Sequence, residues 1–322
     1  KARTLGAIGN FYKQNGDIAS AFAYYDRKRK AWSDAKNYFE EGNTFFDMGL
    51  LQVEHDKDLA ASSYEAARQA YRRRGGTSSQ TEDSVRSRNL RDIANFYAPR
   101  DKAKAIATYD EALQLELAYE GSYTVAELVK AEGTLLLGLN TAESRTQAKQ
   151  LFQKVVNYYR SQNNGEGEAS ILSIIGGMYN ASGDFGEARP YLDRARATYV
   201  AKKNRYPLLA LLIQLGEVEV AEHPGSTAVD YYLRESEAAG RNGDPFAAGI
   251  YLEAAARSAS ANRETQKAID YYEMARVVYH TARMKEEISV LRDMAGVYSD
   301  MGNAAKASEL RKLADDLTRT TN

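Results

Sequence analysis

A phrase of about forty residues recurs along this chain, and no other feature restricts its fold as much. The first copy reads Leu5-x-x-Ile8-Gly9-x-x-Tyr12, a Gly16-Asp17 turn, then Ala21-x-x-x-Tyr25. Regular copies follow around Gly176, Gly183-Asp184, Ala188 and Leu192; around Gly216, Pro224-Gly225, Ala228 and Tyr232; around Ala256, Asn262-Arg263, Ala268 and Tyr272; and around Ala295, Gly302-Asn303 and Ala307. Less regular copies join Gly42 to Ala60 and Tyr64, Ala94 to Ala105 and Tyr109, and Gly133 to Ala148 and Phe152. The small residue early in each second helix falls at 21, 60, 105, 148, 188, 228, 268 and 307, in steps of 39, 45, 43, 40, 40, 40 and 39. Within a unit, a small residue on the first helix lets the second approach closely, and the large residue four places after the second-helix Ala fills the groove. The Gly-Asp, Pro-Gly and Gly-Asn turns supply a φ > 0 position and the next N-cap.

Hairpins this small bury their apolar faces only against neighbours. The predicted fold is therefore all-α: an elongated right-handed α-solenoid of about eight helix-turn-helix repeats, forming one domain over 1–322. The repeats are placed at 1–33, 34–75, 82–120, 123–162, 167–203, 207–242, 245–283 and 286–318. The last helix, over roughly 304–318, is polar enough on one side to end the stack. The first helix begins at the start of the chain, so continuation into further covalently attached sequence is expected there.

Composition supports helices throughout, with five prolines in 322 residues. Lys and Arg number 43 against 44 Asp and Glu, so no long-range field draws nucleic acid, and none is expected as a partner. The hydropathy gives no reason to expect membrane insertion. The absence of cysteine removes disulfides, thiolate metal sites and thiol nucleophiles, and leaves the redox compartment open; a cytoplasmic setting is favoured.

The spacing of the repeat resembles the tetratricopeptide family, with a small residue at position 8, an aromatic at 11, Ala at 20, an aromatic at 24 and Ala at 27. Two departures stand out: a period near 40 instead of about 34, and the near absence of the repeat-ending proline. Long repeats of this kind are similar to kinesin-light-chain-like scaffolds and to bacterial arrays coupled to a protease-like CHAT domain. The phrases around Gly9 and over 183–188 are most similar to the bacterial arrays.

No catalytic arrangement is found: no phosphate loop, no His-Glu-x-x-His helix, no Gly-x-Ser-x-Gly elbow. The chain is read as non-enzymatic, without cofactor or metal. His55 beside Glu54, Asp56 and Asp58 sketches a divalent site, but the same cluster serves as a solvated loop ending in an N-cap. Arg72-Arg73-Arg74, followed by Gly75-Gly76-Thr77-Ser78, reads either as a phosphate or nucleic-acid patch at a mobile connection or as arginines interacting with a helix C-terminus. The pairs Tyr24-Tyr25, Tyr158-Tyr159, Tyr231-Tyr232 and Tyr271-Tyr272 are read as core packing by the second ring, with no account of the first.

The resemblance implies that first-helix positions 2, 5, 9 and 12 line a concave groove. Counted from the small residue at position 8, position 9 is Asn10, Asn43 and Asn95 in the first three units. An amide both donates to and accepts from a peptide main chain, so these asparagines are candidate backbone readers. Arg3, Lys13, Lys36, Arg88 and Arg91 fall on or near the same stretch with Phe39 and Phe46 between, which suggests an acidic or carboxylate-bearing peptide. Gly6 and Asp92 stand where the family's carboxylate clamp needs basic residues. Farther on, Ala210, Ile213, Val220 and Ile250 mark either an apolar subsite or ordinary packing between neighbours. The expected function is a scaffold that binds an extended peptide or partner segment. The alternative is a regulatory or sensor segment gating a larger enzyme, such as a CHAT-type peptidase.

Overall fold

The computed structural model describes residues 1–74, 79–119 and 124–321. Sixteen α-helices and no strand occur among the described residues. In order they are α1 (Ala2–Gln14), α2 (Ile18–Asp34), α3 (Tyr38–Gln52), α4 (Lys57–Arg73), α5 (Gln80–Tyr97), α6 (Lys102–Glu116), α7 (Thr124–Leu139), α8 (Ala142–Ser161), α9 (Gly165–Ala181), α10 (Phe185–Ala201), α11 (Arg205–Glu222), α12 (Ala228–Arg241), α13 (Pro245–Ala261), α14 (Thr265–Thr281), α15 (Glu286–Asp300) and α16 (Ala304–Thr321). Odd and even helices alternate as the first and second members of eight hairpins. Two compact units result, Lys1–Leu151 and Phe152–Asn322, which divide within α8.

One three-residue turn does most of the connecting. Its middle residue is left-handed: Gly16 (φ 76°), Gly183 (φ 79°), Gly243 (φ 71°) and Gly302 (φ 75°), but also Lys36 (φ 53°) and Arg263 (φ 63°). Its third residue opens the next helix. Asp17, Asn37, Asn164 and Asp244 each accept a backbone N–H two or three residues into that helix. Because the same turn serves within and between hairpins, neighbouring helices stay antiparallel at short range.

Packing within a hairpin follows from missing side chains. A Cβ on Gly9 would lie 2.7 Å from the Tyr25 ring, one on Gly42 2.5 Å from Tyr71, and one on Gly176 2.5 Å from Leu192. At Gly49 it would collide with Tyr64, and at Gly216 with Tyr232. These side chains are buried against bare backbone, each gaining about 1.5–3 kcal/mol from burial. The contact also corrects the register of the second hairpin. Gly49, not Gly42, meets the tyrosine four residues after the second-helix Ala, as Gly9 does in the first unit. Gly42 lies two helical turns earlier, against a second ring, Tyr71.

Within each unit the two layers are unequal. First helix α3 touches α5 in one unit, and α9 touches α11 and α11 touches α13 in the other, whereas no comparable contact joins successive second helices among the described residues. At those places the first-helix layer is the closer-packed one.

A methyl at Gly49 should force the Tyr64 ring to shift, so Gly49→Ala is expected to lower stability by about 1–3 kcal/mol. Gly296, within α15, has open space around it, and Gly296→Ala should raise stability by about 0.5–1 kcal/mol. Urea denaturation of the two variants checks both signs.

Candidate functional site

The three asparagines are held by tyrosines of their own hairpins. Tyr25 donates to Asn10 Oδ1 at 2.6 Å, and Tyr109 to Asn95 Oδ1 at 2.5 Å. Both asparagines are exposed, so each has its oxygen pinned and its amide NH2 presented to solvent. Asn43 belongs to a different arrangement. Its Oδ1 accepts from Tyr71 at 2.8 Å and from Asn89 Nδ2 at 3.2 Å, and Asn89 also donates to the Tyr71 hydroxyl at 2.7 Å. Tyr71 and Asn89 are buried and Asn43 is half-buried, and burial pushes the Tyr71 hydroxyl well above the usual phenol range, so the ring keeps its proton and donates. Asn43 is thus structural glue between α3, α4 and α5. The assignment of Asn43 to the ninth position is corrected, and exposed Leu50 occupies that place.

The remaining expected groove residues divide by burial. Arg3 and Arg88 are exposed, each seven residues before Asn10 or Asn95 and so on the same helix face, and Lys13 is exposed one turn after Asn10. Arg91 is half-buried and paired with Glu127 at 3.0 Å and with Asp92 at 3.5 Å. Phe39 is half-buried at the start of α3. Phe46 is 8% exposed and packs on Tyr64 with ring centroids 5.9 Å apart, so it belongs to the core and not to a groove surface. Lys36 is the left-handed residue of the α2–α3 turn and not a helix-face residue, because the turn needs a φ > 0 position there.

In the second unit Ile250 is fully buried, which removes it from any subsite, and Ala210 is exposed on α11. Ile213 lines a cavity of about 430 Å³ together with Val220, Gly216, Tyr232, Glu217 and Arg257, among others. The wall is mixed in chemistry. Arg257 donates to Asp293 at 3.2 Å, and Glu217 accepts from Asn180.

Behind this cavity lies a charge network that sequence reasoning did not find. Glu253, with no exposed surface, pairs with Arg205 and accepts from Tyr279 at 2.9 Å, and Arg205 also reaches Asp293 at 2.7 Å. Burial pushes the Glu253 carboxyl up, against the opposing pull of Arg205 and Tyr279. The network ties α11, α13, α14 and α15 together. A signal did exist: Tyr71 and Tyr279 both stand eleven residues after the second-helix Ala, and each hydroxyl finds a polar side chain on a first helix.

The other candidate motifs are absorbed by structure. Arg72 pairs with Glu111, Arg73 lies 3.7 Å from Glu41, and Arg74 lies 2.8 Å from Glu82, while residues 75–78 fall outside the described residues. Asp56 is the N-cap of α4 through bonds to the Asp58 and Leu59 N–H groups, and no group of three metal-binding side chains occurs among the described residues. No described helix is long and apolar enough to cross a membrane. Of the first tyrosines in each pair, Tyr24 stacks on Tyr12 at 5.4 Å and Tyr231 is buried against Tyr251 and Arg196.

No protein-family model and no curated protein sequence matches the chain. Among solved structures it is similar to a circular tandem repeat protein with a novel repeat topology, at 14% identity, covering 99% of this chain and 95% of that one, with a TM-score of 0.43. A Rap protein complexed with competence and sporulation factor matches at 12% identity over 94% and 86% of the two chains, with a TM-score of 0.37. The apo quorum sensor NprR from B. thuringiensis matches at 14% identity over 98% and 87%, with a TM-score of 0.33.

Removing the Tyr71 hydroxyl takes a donor from half-buried Asn43 and an acceptor from buried Asn89, so Tyr71→Phe should cost about 1–2 kcal/mol. Tyr109→Phe, whose partner Asn95 can turn to water, should stay within about 0.5 kcal/mol of the parent. Glu253→Ala, which strips Arg205 of its buried counter-ion, should cost about 3–5 kcal/mol. Denaturant titrations at constant salt rank the three, and equal costs for the two tyrosine variants would contradict the assignment of Asn43.

Proposed function

We propose that the chain is a non-enzymatic interaction array that takes an extended segment of a partner protein along its first-helix face. The observation that carries this reading is the pair of tyrosine-held amides: Asn10 and Asn95 repeat the same geometry on α1 and α5, each with its NH2 fixed and exposed. An amide whose oxygen is already engaged has lost rotational freedom, so less entropy is lost when its NH2 binds a main-chain carbonyl. Such donors read a backbone without demanding a side-chain sequence.

The charges nearby select the segment. Arg3, Lys13 and Arg88 have no carboxylate within ion-pair distance among the described residues, whereas Arg91 and the 72–74 arginines are engaged. The free cations lie on the same face as Asn10 and Asn95, and an acidic extended segment is the chemistry they favour.

Calorimetry with a capped acidic decapeptide and its basic counterpart tests the proposal. The acidic peptide should bind, and Asn10→Ala with Asn95→Ala together should weaken it about tenfold with little loss of stability, as expected for two exposed hydrogen bonds. Equal binding of the basic peptide, or unchanged affinity in the double variant, would remove this function.

A further inference from the structure

We propose that the cavity at the sixth hairpin is an anchor pocket for one large apolar side chain of an extended partner segment, with the segment's main chain held between Arg257 and Glu217. This rests on the array reading above and specifies what the second unit would contribute to it.

The pocket is built by the fold. α12 packs chiefly on α13 and only lightly on α11, its hairpin partner, so the sixth hairpin is splayed. The turn that permits this differs from the others: it runs through Pro224 and a left-handed Gly225 (φ 102°) and ends in the Thr227–Asp230 capping box. The hollow is kept open by small residues, Gly216, Ala228 and Ala261. Gly216 cannot carry a side chain, because a Cβ would collide with the Tyr232 hydroxyl, and Tyr232 is locked by a 2.8 Å bond to the Leu212 carbonyl. At about 430 Å³ the space lies within the range of ligand pockets and admits an aliphatic or aromatic side chain with its main chain.

Its chemistry selects the occupant. Ile213 and Val220, seven residues apart on α11, line the pocket while 46% and 41% exposed, so apolar area is available for burial. The polar rim has one residue from each flanking first helix in equivalent register, Glu217 after Gly216 and Arg257 after Ala256. Both are steadied from behind, Arg257 by Asp293 and Glu217 by Asn180. A guanidinium only donates and a carboxylate only accepts, while a peptide group does one of each. A neutral peptide group therefore suits this rim, whereas an anionic ligand would meet Glu217 and a cationic one Arg257.

Capped tripeptides Ac-Gly-X-Gly-NH2, with X as Leu, Phe, Lys or Asp, and free leucine can be titrated onto the full chain while the Ile213 and Val220 methyl resonances are followed. The Leu and Phe probes should give saturable shifts, about tenfold tighter than Lys or Asp. Ala261→Trp, an exposed position on the pocket wall, should abolish the shifts. Glu217→Ala should weaken the Leu and Phe probes alike, and Ile213→Ser should erase the preference for them over Lys and Asp, as followed at Val220. Absence of saturation, equal binding of the charged probes, survival of the shifts in Ala261→Trp, or free leucine binding as tightly as the tripeptide would each overturn the pocket. A silent pocket with intact acidic-peptide binding at Asn10 and Asn95 strikes the pocket alone. Selective apolar binding without acidic-peptide binding supports the pocket and strikes the reading of the first unit.

Discussion

The close approach of bare backbone on one helix to a ring on the next is the contact on which the rest depends. A hairpin of about forty residues cannot bury an apolar face by itself, so each hairpin relies on a tight internal seam and on its neighbours. Gly9 under Tyr25, Gly49 under Tyr64 and Gly216 under Tyr232 make that seam. Flattening a tyrosine against glycine carries its hydroxyl to the edge of the seam, where a polar group needs a partner. In α1 and α5 the partner is an exposed asparagine; Tyr232 uses a main-chain carbonyl, and in α13 the partner is a buried glutamate, Glu253. The residues proposed to read a ligand are in this sense by-products of how the hairpins close.

The inequality of the two helix layers explains where the arginines go. First helices meet directly, while second helices diverge and are joined by long side chains. Arg68 reaches Glu111 from α4 to α6 at 2.6 Å, and Arg196 reaches Glu235 from α10 to α12 at 3.2 Å. An arginine can span such a gap with its aliphatic stem packed and its head bonded. Other arginines pair with first-helix carboxylates, as Arg189 does with Glu219 and Arg205 with Glu253, whereas no ion pair joins Arg3, Lys13 or Arg88 among the described residues.

Legibility differed from unit to unit. Where the spacing from first-helix small residue to second-helix Ala is twelve, as from Gly9 to Ala21 or Gly216 to Ala228, the pattern placed both helices and the buried ring. In the second hairpin two glycines compete, Gly42 and Gly49; spacing to Ala60 alone does not say which of them meets Tyr64, four residues on, and which Tyr71, eleven on. That ambiguity placed Asn43 at the exposed position that Leu50 holds, although it is half-buried and bonded to Tyr71. Phe46 and Ile250 were misplaced for a related reason: an apolar residue at a nominally groove-facing position is covered when the next hairpin packs closely, and linear spacing carries no measure of that distance.

By itself, the sequence determined that the chain is helical, that its unit is a hairpin of about forty residues, and where most turns and seams fall, because these depend on residues close together in the chain. Only the tertiary structure decided which polar groups meet: Tyr71 with Asn43 and Asn89, Glu253 with Arg205 across forty-eight residues, and the splayed sixth hairpin with its pocket. Those outcomes depend on the angle and distance at which one hairpin settles on the next. Many small packing contacts set that geometry jointly, and no local pattern encodes it.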